Sequence, residues 1–311
     1  MGILSRRLRA VLASLRSDRA VVERQFRRAY GRPLDLGHPV TFDEKLQWYK
    51  LYYRRRIMGQ LADKYAVRRY VADKGHGHIL NELYGVYRHA EDVPFDALPD
   101  SFVLKATHGS GFTIICRDKA ALDAKAARAK LRRWLATDYY LFGREWAYRD
   151  VPRAIVCERY LENEERGELV DYKFYCYGGV PQVVFACSGR FSPGGLRYDA
   201  FDMGWNLIPA WKGKPGTGLG LPPPPGFEAM KAIARDLSHG FPFLRVDLYS
   251  IEGRAVFGEL TFYPDSGLVP FTPVHYNRFF GDLLLLPERP VIEPRPARGV
   301  SPVAPEPDLA R

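Results

Sequence analysis

The stretch Leu244–Gly267, LRVDLYSIEGRAVFGELTFYPDSG, decides how this chain is read. Its first part alternates as a strand, with Leu244, Val246 and Leu248 on one side and Arg245, Asp247 and Tyr249 on the other. A second run, Ala255 to Phe262, follows Glu252-Gly253, so the segment reads as a hairpin. A turn centred on Gly253 sets Asp247 opposite Glu259 and Arg245 opposite Thr261, all on one face. A two-residue Glu-Gly turn instead shifts the pairing by one and sends Glu259 to the other face. Directly opposed carboxylates repel and weaken a sheet. A divalent cation with oxygen ligands is the simplest compensation. The plainer reading is a half-solvated hairpin with ordinary surface charges.

Upstream, Phe102-Val-Leu-Lys105-Ala-Thr-His108-Gly109-Ser110-Gly111-Phe112-Thr-Ile-Ile-Cys116 reads as two apolar strands around a loop of small residues. Gly109 and Gly111 allow successive N–H groups to point into one concavity, which suits a phosphate, and Lys105 adds charge beside it. The loop is not a Walker A sequence, and a plain hairpin is the competing reading. Ala154–Leu161 reads as a strand entering the acidic loop Glu162–Glu168. Asp171–Phe185 reads as a hairpin turning at Gly178-Gly179. Asp171 and Lys173 share a face there, and an exposed ion pair is the plain reading.

Thr41 followed by Glu44 makes a capping box that opens a helix through Tyr53. Ala62–Val71 reads as a helix with Lys64 and Arg68 on one solvated face, ended at Gly75–Gly77, with a β-rich segment running on to Asp100. Residues 118–137 read as a basic helix, and the aromatics Trp134, Tyr139, Tyr140, Phe142, Trp146 and Tyr148 as core, with a stacking platform for a sugar or base as the other reading. Phe227–His239 is an amphipathic helix with Met230, Ile233, Ala234 and Leu237 inward. The Gly/Pro-dense Trp211–Gly226 reads equally as a linker or a flap. The tail from 288 to 311 has the composition of a disordered end.

The chain of 311 residues is 46% hydrophobic and carries 46 basic against 36 acidic residues, a net +10. Such a balance suits phosphate-bearing or acidic partners, and no DNA- or RNA-binding pattern accompanies it, so nucleic acid is not expected. Cys116, Cys157, Cys176 and Cys187 lack metal spacing and read as buried thiols. No apolar run approaches a membrane span, no secretory signal is evident, and a cytoplasmic location is expected. Residues 3–29 read as basic helix, with Leu4, Leu8, Val11, Leu12 and Leu15 at helical spacing. That helix either packs on the body or lies on the inner, anionic face of the membrane.

Together these stretches resemble the ATP-grasp superfamily, most closely its TupA-like branch of teichuronopeptide biosynthesis, over about Thr41 to Pro287. The resemblance implies an α+β fold in which two subdomains clasp ATP. The expected divisions are a basic helical segment at 1–40, a part preceding the nucleotide lobe at 41–100, a first subdomain at 101–161 and a C-terminal subdomain at 162–287. It also implies an ATP- and Mg2+-dependent ligase that forms an acylphosphate and passes it to an amine, in cell-surface polysaccharide assembly. By position, Lys64 and Lys105 resemble the phosphate lysines, and His108, Gly109, Ser110 and Gly111 the loop over the outer phosphates. Glu158, Arg159, Tyr160 and Leu161 resemble the adenine hinge, and Glu162 or Glu164 the ribose contact. Arg245, Lys173 and Lys105 take catalytic roles. Asp247 and Glu259 hold magnesium, with Thr261 where many relatives carry Asn. Asp171 with Lys173 resembles the D-x-R pair of related ligases, and Pro264 to Gly267 the turn that shapes the acceptor pocket. Asp171, Arg190, Arg197, Ser266 and Gly267 are the substrate candidates, the acid being of uronic type. Two other classes stay open, a polysaccharide glycosyltransferase and a non-catalytic nucleotide-binding subunit.

Overall fold

The structure is a computed structural model that describes residues 16–162, 169–189, 192, 194–218 and 221–294. Leu4 to Leu15, Glu164, Arg190 and the tail from 295 lie outside these residues, so the readings placed on them are not addressed.

Helix α1 (Asp18–Tyr30) is capped by Ser17 and closed by Gly31 in the left-handed conformation. It packs on the body through Val21, Val22 and Phe26. Helix α2 (Phe42–Tyr52) opens with the complete Thr41/Glu44 capping box. It is buried almost all round, Lys50 included, so it is a core helix and not a surface one. Strand β1 (Tyr53–Arg54) follows, then α3 (Ile57–Ala62) and α4 (Val67–Val71).

The single helix expected over Ala62–Val71 is therefore broken. Asp63 accepts from the N–H groups of Tyr65 and Ala66, at 2.8 and 3.2 Å, and so closes a local turn in place of helix. Lys64 sits in that turn, so it does not share a helix face with Arg68. The stretch expected to be β-rich before Asp100 holds one strand, β2 (Leu83–Tyr87).

Strands β3 (Phe102–Ala106) and β4 (Thr113–Cys116) pair as expected around the glycine loop. Helix α5 (Ala124–Leu135) packs Ala127, Leu131 and Trp134 on Phe102, Leu104 and Ala106 of β3 and on Ile155 and Cys157 of β5 (Ile155–Arg159). These strands form a four-stranded sheet in the order β2-β5-β3-β4.

The larger sheet is built from β6 (Asp171–Tyr177), β7 (Val180–Ser188), β8 (Arg197–Asp202), β9 (Leu207–Ile208), β11 (Phe243–Ile251) and β12 (Arg254–Thr261). Its order is β12-β11-β6-β7-β8-β9. The β6–β7 turn is Gly178-Gly179, both at positive φ. One sheet face buries Phe174, Cys176, Val184, Leu244, Val246 and Leu248 against α6 (Phe227–Ser238), which turns Met230, Ile233, Ala234 and Leu237 inward as expected. The other face is apolar at one end, where Phe243, Tyr175 and Phe185 meet Phe42, Phe271 and Phe280. At its other end it is charged.

Two segments are more ordered than their composition suggests. Trp211–Lys212 forms β10 and pairs with β13 (Phe271–Thr272), ahead of helix α7 (His275–Leu283). Thr217 then donates to Asp199 from both its N–H (2.8 Å) and its hydroxyl (2.9 Å), which ties this segment down at that point. Within the tail read as disordered, Val291–Ile292 forms β14, parallel to β1, and Glu293 accepts from the Arg56 N–H at 2.7 Å. Pairing with a neighbouring strand overrides the local Pro-rich composition there. All four cysteines are buried and free. Among the described residues no helix is long and apolar enough to cross a membrane.

Candidate active site

The β11–β12 hairpin reaches the expected register through the turn that alone would shift it. Its turn is the two-residue Glu252-Gly253, both at positive φ, with Ile251 opposite Arg254. Continued along the ladder, that turn would put Glu259 on the wrong face. A bulge intervenes: Leu248 pairs with Phe257 but Asp247 pairs with Glu259, leaving Gly258 as the extra residue. A Cβ on Gly258 would sit 2.9 Å from the Asp247 carbonyl oxygen, so glycine is what permits this approach. Beyond the bulge Arg245 faces Thr261. On the far side of β11, Asp247 is opposite Lys173 and Tyr249 is opposite Asp171.

The repulsion expected between Asp247 and Glu259 is relieved by the protein's own cations. Arg245 forks onto Asp247, Nε to Oδ1 and Nη2 to Oδ2 at 2.7 Å each, and Nη2 also reaches Glu259 Oε1 at 2.9 Å. Lys173 Nζ lies 2.5 Å from both Asp171 Oδ2 and Asp247 Oδ2. The Asp171–Lys173 pair is thus a buried part of this network and not the exposed pair expected. Burial opposes the charge on Lys173 and Arg245, but Asp171 and Asp247 outweigh it for the lysine, as Asp247 and Glu259 do for the arginine. Both stay protonated well beyond the usual range. Burial likewise pushes the Asp247 carboxyl upward, and Arg245 and Lys173 pull it back.

Glu259 is the carboxylate that looks outward. Its side chain is 33% exposed, and Lys64 stands 3.9 Å from Oε2. Burial raises its pKa, but Lys64, Arg245 and Lys173 together bring it down to about 2. A pKa depressed below the ordinary 4.5 contributes stability that is present above that value and lost as pH falls through about 2. Glu259→Gln should therefore flatten the acid limb of the stability profile between those pH values, measured as urea midpoints.

Lys64 also donates to the Gly109 carbonyl at 2.7 Å, which ties the broken helix to the glycine loop of the smaller sheet. In that sheet Lys105 and Glu158 lie on the face away from α5 and bond at 2.7 Å. Arg68, read as solvated, reaches Glu158 Oε1 at 3.5 Å. The Glu158 side chain therefore holds both Lys105 and Arg68. The glycine loop closes against Tyr139: a Cβ on Gly109 would stand 2.7 Å from that ring. Gly111 has φ +75° and Ser110 is exposed. Following the strand outward, Arg159 and Glu162 are exposed, while Tyr160 and Leu161 are half-buried.

His108 does not point into the loop mouth. Its ring is buried, with Nε2 3.0 Å from the Trp134 carbonyl and an edge against Phe112. Arg197 pairs with Ser188, so strand alternation places it on the sheet face opposite Asp171 and Lys173. It cannot join them at the charged end. Ser266 and Gly267 do border the site, in a turn where Asp265, Ser266 and Gly267 all have positive φ. Gln47 donates to both carbonyls of Ser266 and Gly267, at 3.1 and 2.7 Å.

Sequence reasoning missed Lys50, which lies wholly buried and donates to Ser266 O and Oγ at 2.6 and 2.7 Å. It also missed Glu145. For Lys50 a signal existed: it is adjacent to Tyr49 and one helical turn from Leu46, on the core side of α2.

Among the described residues no group of three or more Asp, Glu, His or Cys is arranged to hold a metal. Magnesium, however, is usually bound by one or two carboxylates together with nucleotide phosphates. Glu259, with the Thr261 hydroxyl donating to its Oε1 at 3.1 Å, fits that smaller donor set. Asp247, engaged by two cations, stands behind it.

No curated protein matches this chain. Among solved structures it resembles the ATP-grasp ligase PsnB, complexed with a precursor variant, Mg and ADP, at 13% identity and a TM-score of 0.41, over 78% of this chain and 65% of that one. It also resembles D-alanine–D-alanine ligase from Bacillus anthracis complexed with ATP, at 13% identity and a TM-score of 0.39, over 65% of this chain. The match spans about half, 55%, of that enzyme's length. A third likeness is D-cycloserine synthetase DcsG, at 15% identity and a TM-score of 0.36, over 73% of this chain and 71% of the other. The sequence profile of the family described as TupA-like ATPgrasp matches residues 44–285, most of the chain, and the chain belongs to that family.

Proposed function

We propose that this chain is an ATP- and magnesium-dependent ligase that activates a carboxylate as its acylphosphate and joins it to an amine. The observation that carries this reading is the facing of two charged rows. Lys64, tied to the glycine loop, approaches Glu259, and behind Glu259 run Arg245, Asp247, Lys173 and Asp171. Phosphoryl transfer needs positioning and charge neutralisation more than a protein nucleophile, and this arrangement supplies both.

In this reading the nucleotide lies between the sheets, with its outer phosphates on Lys64, Lys105 and the N–H groups of Gly109 to Gly111. Glu158 to Leu161 border the base, and Glu162 is near the ribose. Glu259 and Thr261 would hold magnesium, which neutralises charge on the outer phosphates. Arg245 stabilises the transferring phosphoryl group, and Asp247 fixes Arg245 and Lys173 in place. The Pro264–Gly267 turn borders the acceptor. The family resemblance favours an acidic sugar of a cell-surface polysaccharide as the carboxylate, used at the inner face of the membrane. The test is ADP release with Mg–ATP, screened over uronic acids, amino acids and amino sugars, alone and in pairs. A pair-dependent release supports the ligase. ATP bound but never turned over, or turnover of a sugar nucleotide instead, refutes it.

A further inference from the structure

The turn that follows the second strand of the charged hairpin carries more chemistry than binding requires. Asp265 (φ 49°) and Ser266 (φ 56°) are consecutive left-handed residues other than glycine, a conformation costing roughly 1 kcal/mol or more each. It is held from α2, where Gln47 and Lys50 donate to the turn's carbonyls. The same lysine also holds the Ser266 hydroxyl. Lys50 Nζ donates to that hydroxyl at 2.7 Å, and the Glu145 carboxylate converges on the same spot. Both groups crowd Gly143, where a Cβ would lie 2.6 Å from Ser266 Oγ and 3.0 Å from Glu145 Oε1.

The exposure is graded. Lys50 is fully buried and Glu145 is 7% exposed, Ser266 is half-buried, and Asp265 is exposed. The relay thus has one open end, at Ser266 and Asp265, five residues or fewer beyond Thr261. Glu259 acts electrostatically on Glu145 and on Tyr148, as Glu145 also does on Tyr148, so the relay and the metal-facing carboxylate share one neighbourhood.

A purely structural reading would make Lys50 and Glu145 an ion pair locking the turn. The contacts are different: the three groups that Lys50 donates to, Gln47 Oε1, Ser266 O and Ser266 Oγ, are all neutral. Burial raises the Glu145 pKa, against the opposing charge of Lys50, and lowers that of Lys50 to about 8. A carboxylate with a raised pKa is a better proton acceptor.

We infer that Ser266 and Glu145 are the proton acceptor for the attacking amine, that Lys50 is their positioning residue, and that Asp265 draws the substrate in as an ammonium ion. This rests on the ligase reading above. The ammonium gives its first proton through the Ser266 hydroxyl, which passes its own to Glu145. The freed lone pair forms the C–N bond as the acyl C–O bond to phosphate breaks. The second proton leaves with inorganic phosphate.

Two nucleophiles separate this role from a structural one. Alkyl amines are protonated near pH 7 and need the base, whereas hydroxylamine is already neutral there and bypasses it. The probes are the panel of uronic and amino acids as carboxylates, with either hydroxylamine or a panel of amino acids and amino sugars as nucleophile. Glu145→Gln and, as a smaller change, Ser266→Ala are expected to lower amide formation about 100-fold. Hydroxamate formation should fall by less than about 10-fold, which is below the range typical of a lost acid–base group. Thermal melting confirms that each variant folds. Equal losses with both nucleophiles, or wild-type amide formation in Ser266→Ala, would overturn the inference. A wild-type protein that makes neither product while binding ATP would instead bring down the ligase reading itself.

Discussion

Asp247→Asn is expected to lower stability and turnover together, whereas Glu259→Gln should lower turnover with the fold intact. Asp247 is 2% exposed and takes Arg245 and Lys173 on its two oxygens. An amide cannot balance two buried cations. Breaking a buried pair by removing one partner typically costs about 3–5 kcal/mol. The Asn variant should therefore show a clear drop in urea midpoint. Its ADP release should fall at least about 100-fold, since Arg245 loses its fork and a lost charge-stabilising group costs on the order of 3 kcal/mol in the transition state. Glu259 is one-third exposed, and its loss still leaves Arg245 forked onto Asp247. A folded Gln variant, with a smaller drop in midpoint at neutral pH than Asp247→Asn and a similar loss of ADP release, is the expected contrast. Asp247→Asn that melts and turns over like the wild type would contradict the assignment.

The second large effect is expected at Gly258. Its absent Cβ is what lets the bulged residue approach the Asp247 backbone, with the carbonyl oxygen 2.9 Å and the carbonyl carbon 3.3 Å from where a Cβ would stand. Gly258→Ala must displace one strand or remove the bulge. Without the bulge the two-residue turn dictates the register, and Glu259 leaves the face that Asp247 and Arg245 occupy. Overpacking of this kind costs about 1–3 kcal/mol. Turnover should drop by more than that stability loss explains, at least about tenfold at a temperature where the variant is folded. Gly253→Ala is the control: it strains a position with φ +74° at the turn but leaves the bulge alone, so it should lose stability while keeping turnover.

This hairpin also shows how far the sequence could be read. The alternation of Arg245, Asp247 and Tyr249 correctly predicts one charged face, because a strand's period of two is imposed by its backbone. The pairing of Asp247 with Glu259 is correct too, but for a different reason: a turn centred on Gly253 would hold the extra residue that instead sits at Gly258. Nothing local distinguishes the two placements, since a glycine serves at both. The capping box at Thr41 and Glu44 and the Gly178-Gly179 turn were legible, because each is a local hydrogen-bonding or steric requirement.

What escaped the sequence is what depends on contacts distant in the chain. Lys173 lies opposite Asp247, 74 residues away, and only that partner turns an apparent surface pair into a buried one. The ring of His108 is taken by the Trp134 carbonyl, 26 residues on, which turns it away from the mouth of the glycine loop. Lys50, Glu145 and Ser266 come together from three separate segments, and no spacing in the sequence records that. Val291–Ile292 was hidden by proline-rich surroundings, although a parallel neighbour, β1, was waiting for it.

The most direct test of the central claim is a crystal structure of the protein with magnesium and a non-hydrolysable ATP analogue. The outer phosphates are expected between Lys64, Lys105 and Gly109 to Gly111, with the metal on Glu259 beside Thr261 and Arg245 turned to the terminal phosphate. A nucleotide bound elsewhere, or in this cleft with its phosphates directed away from Glu259, would contradict it.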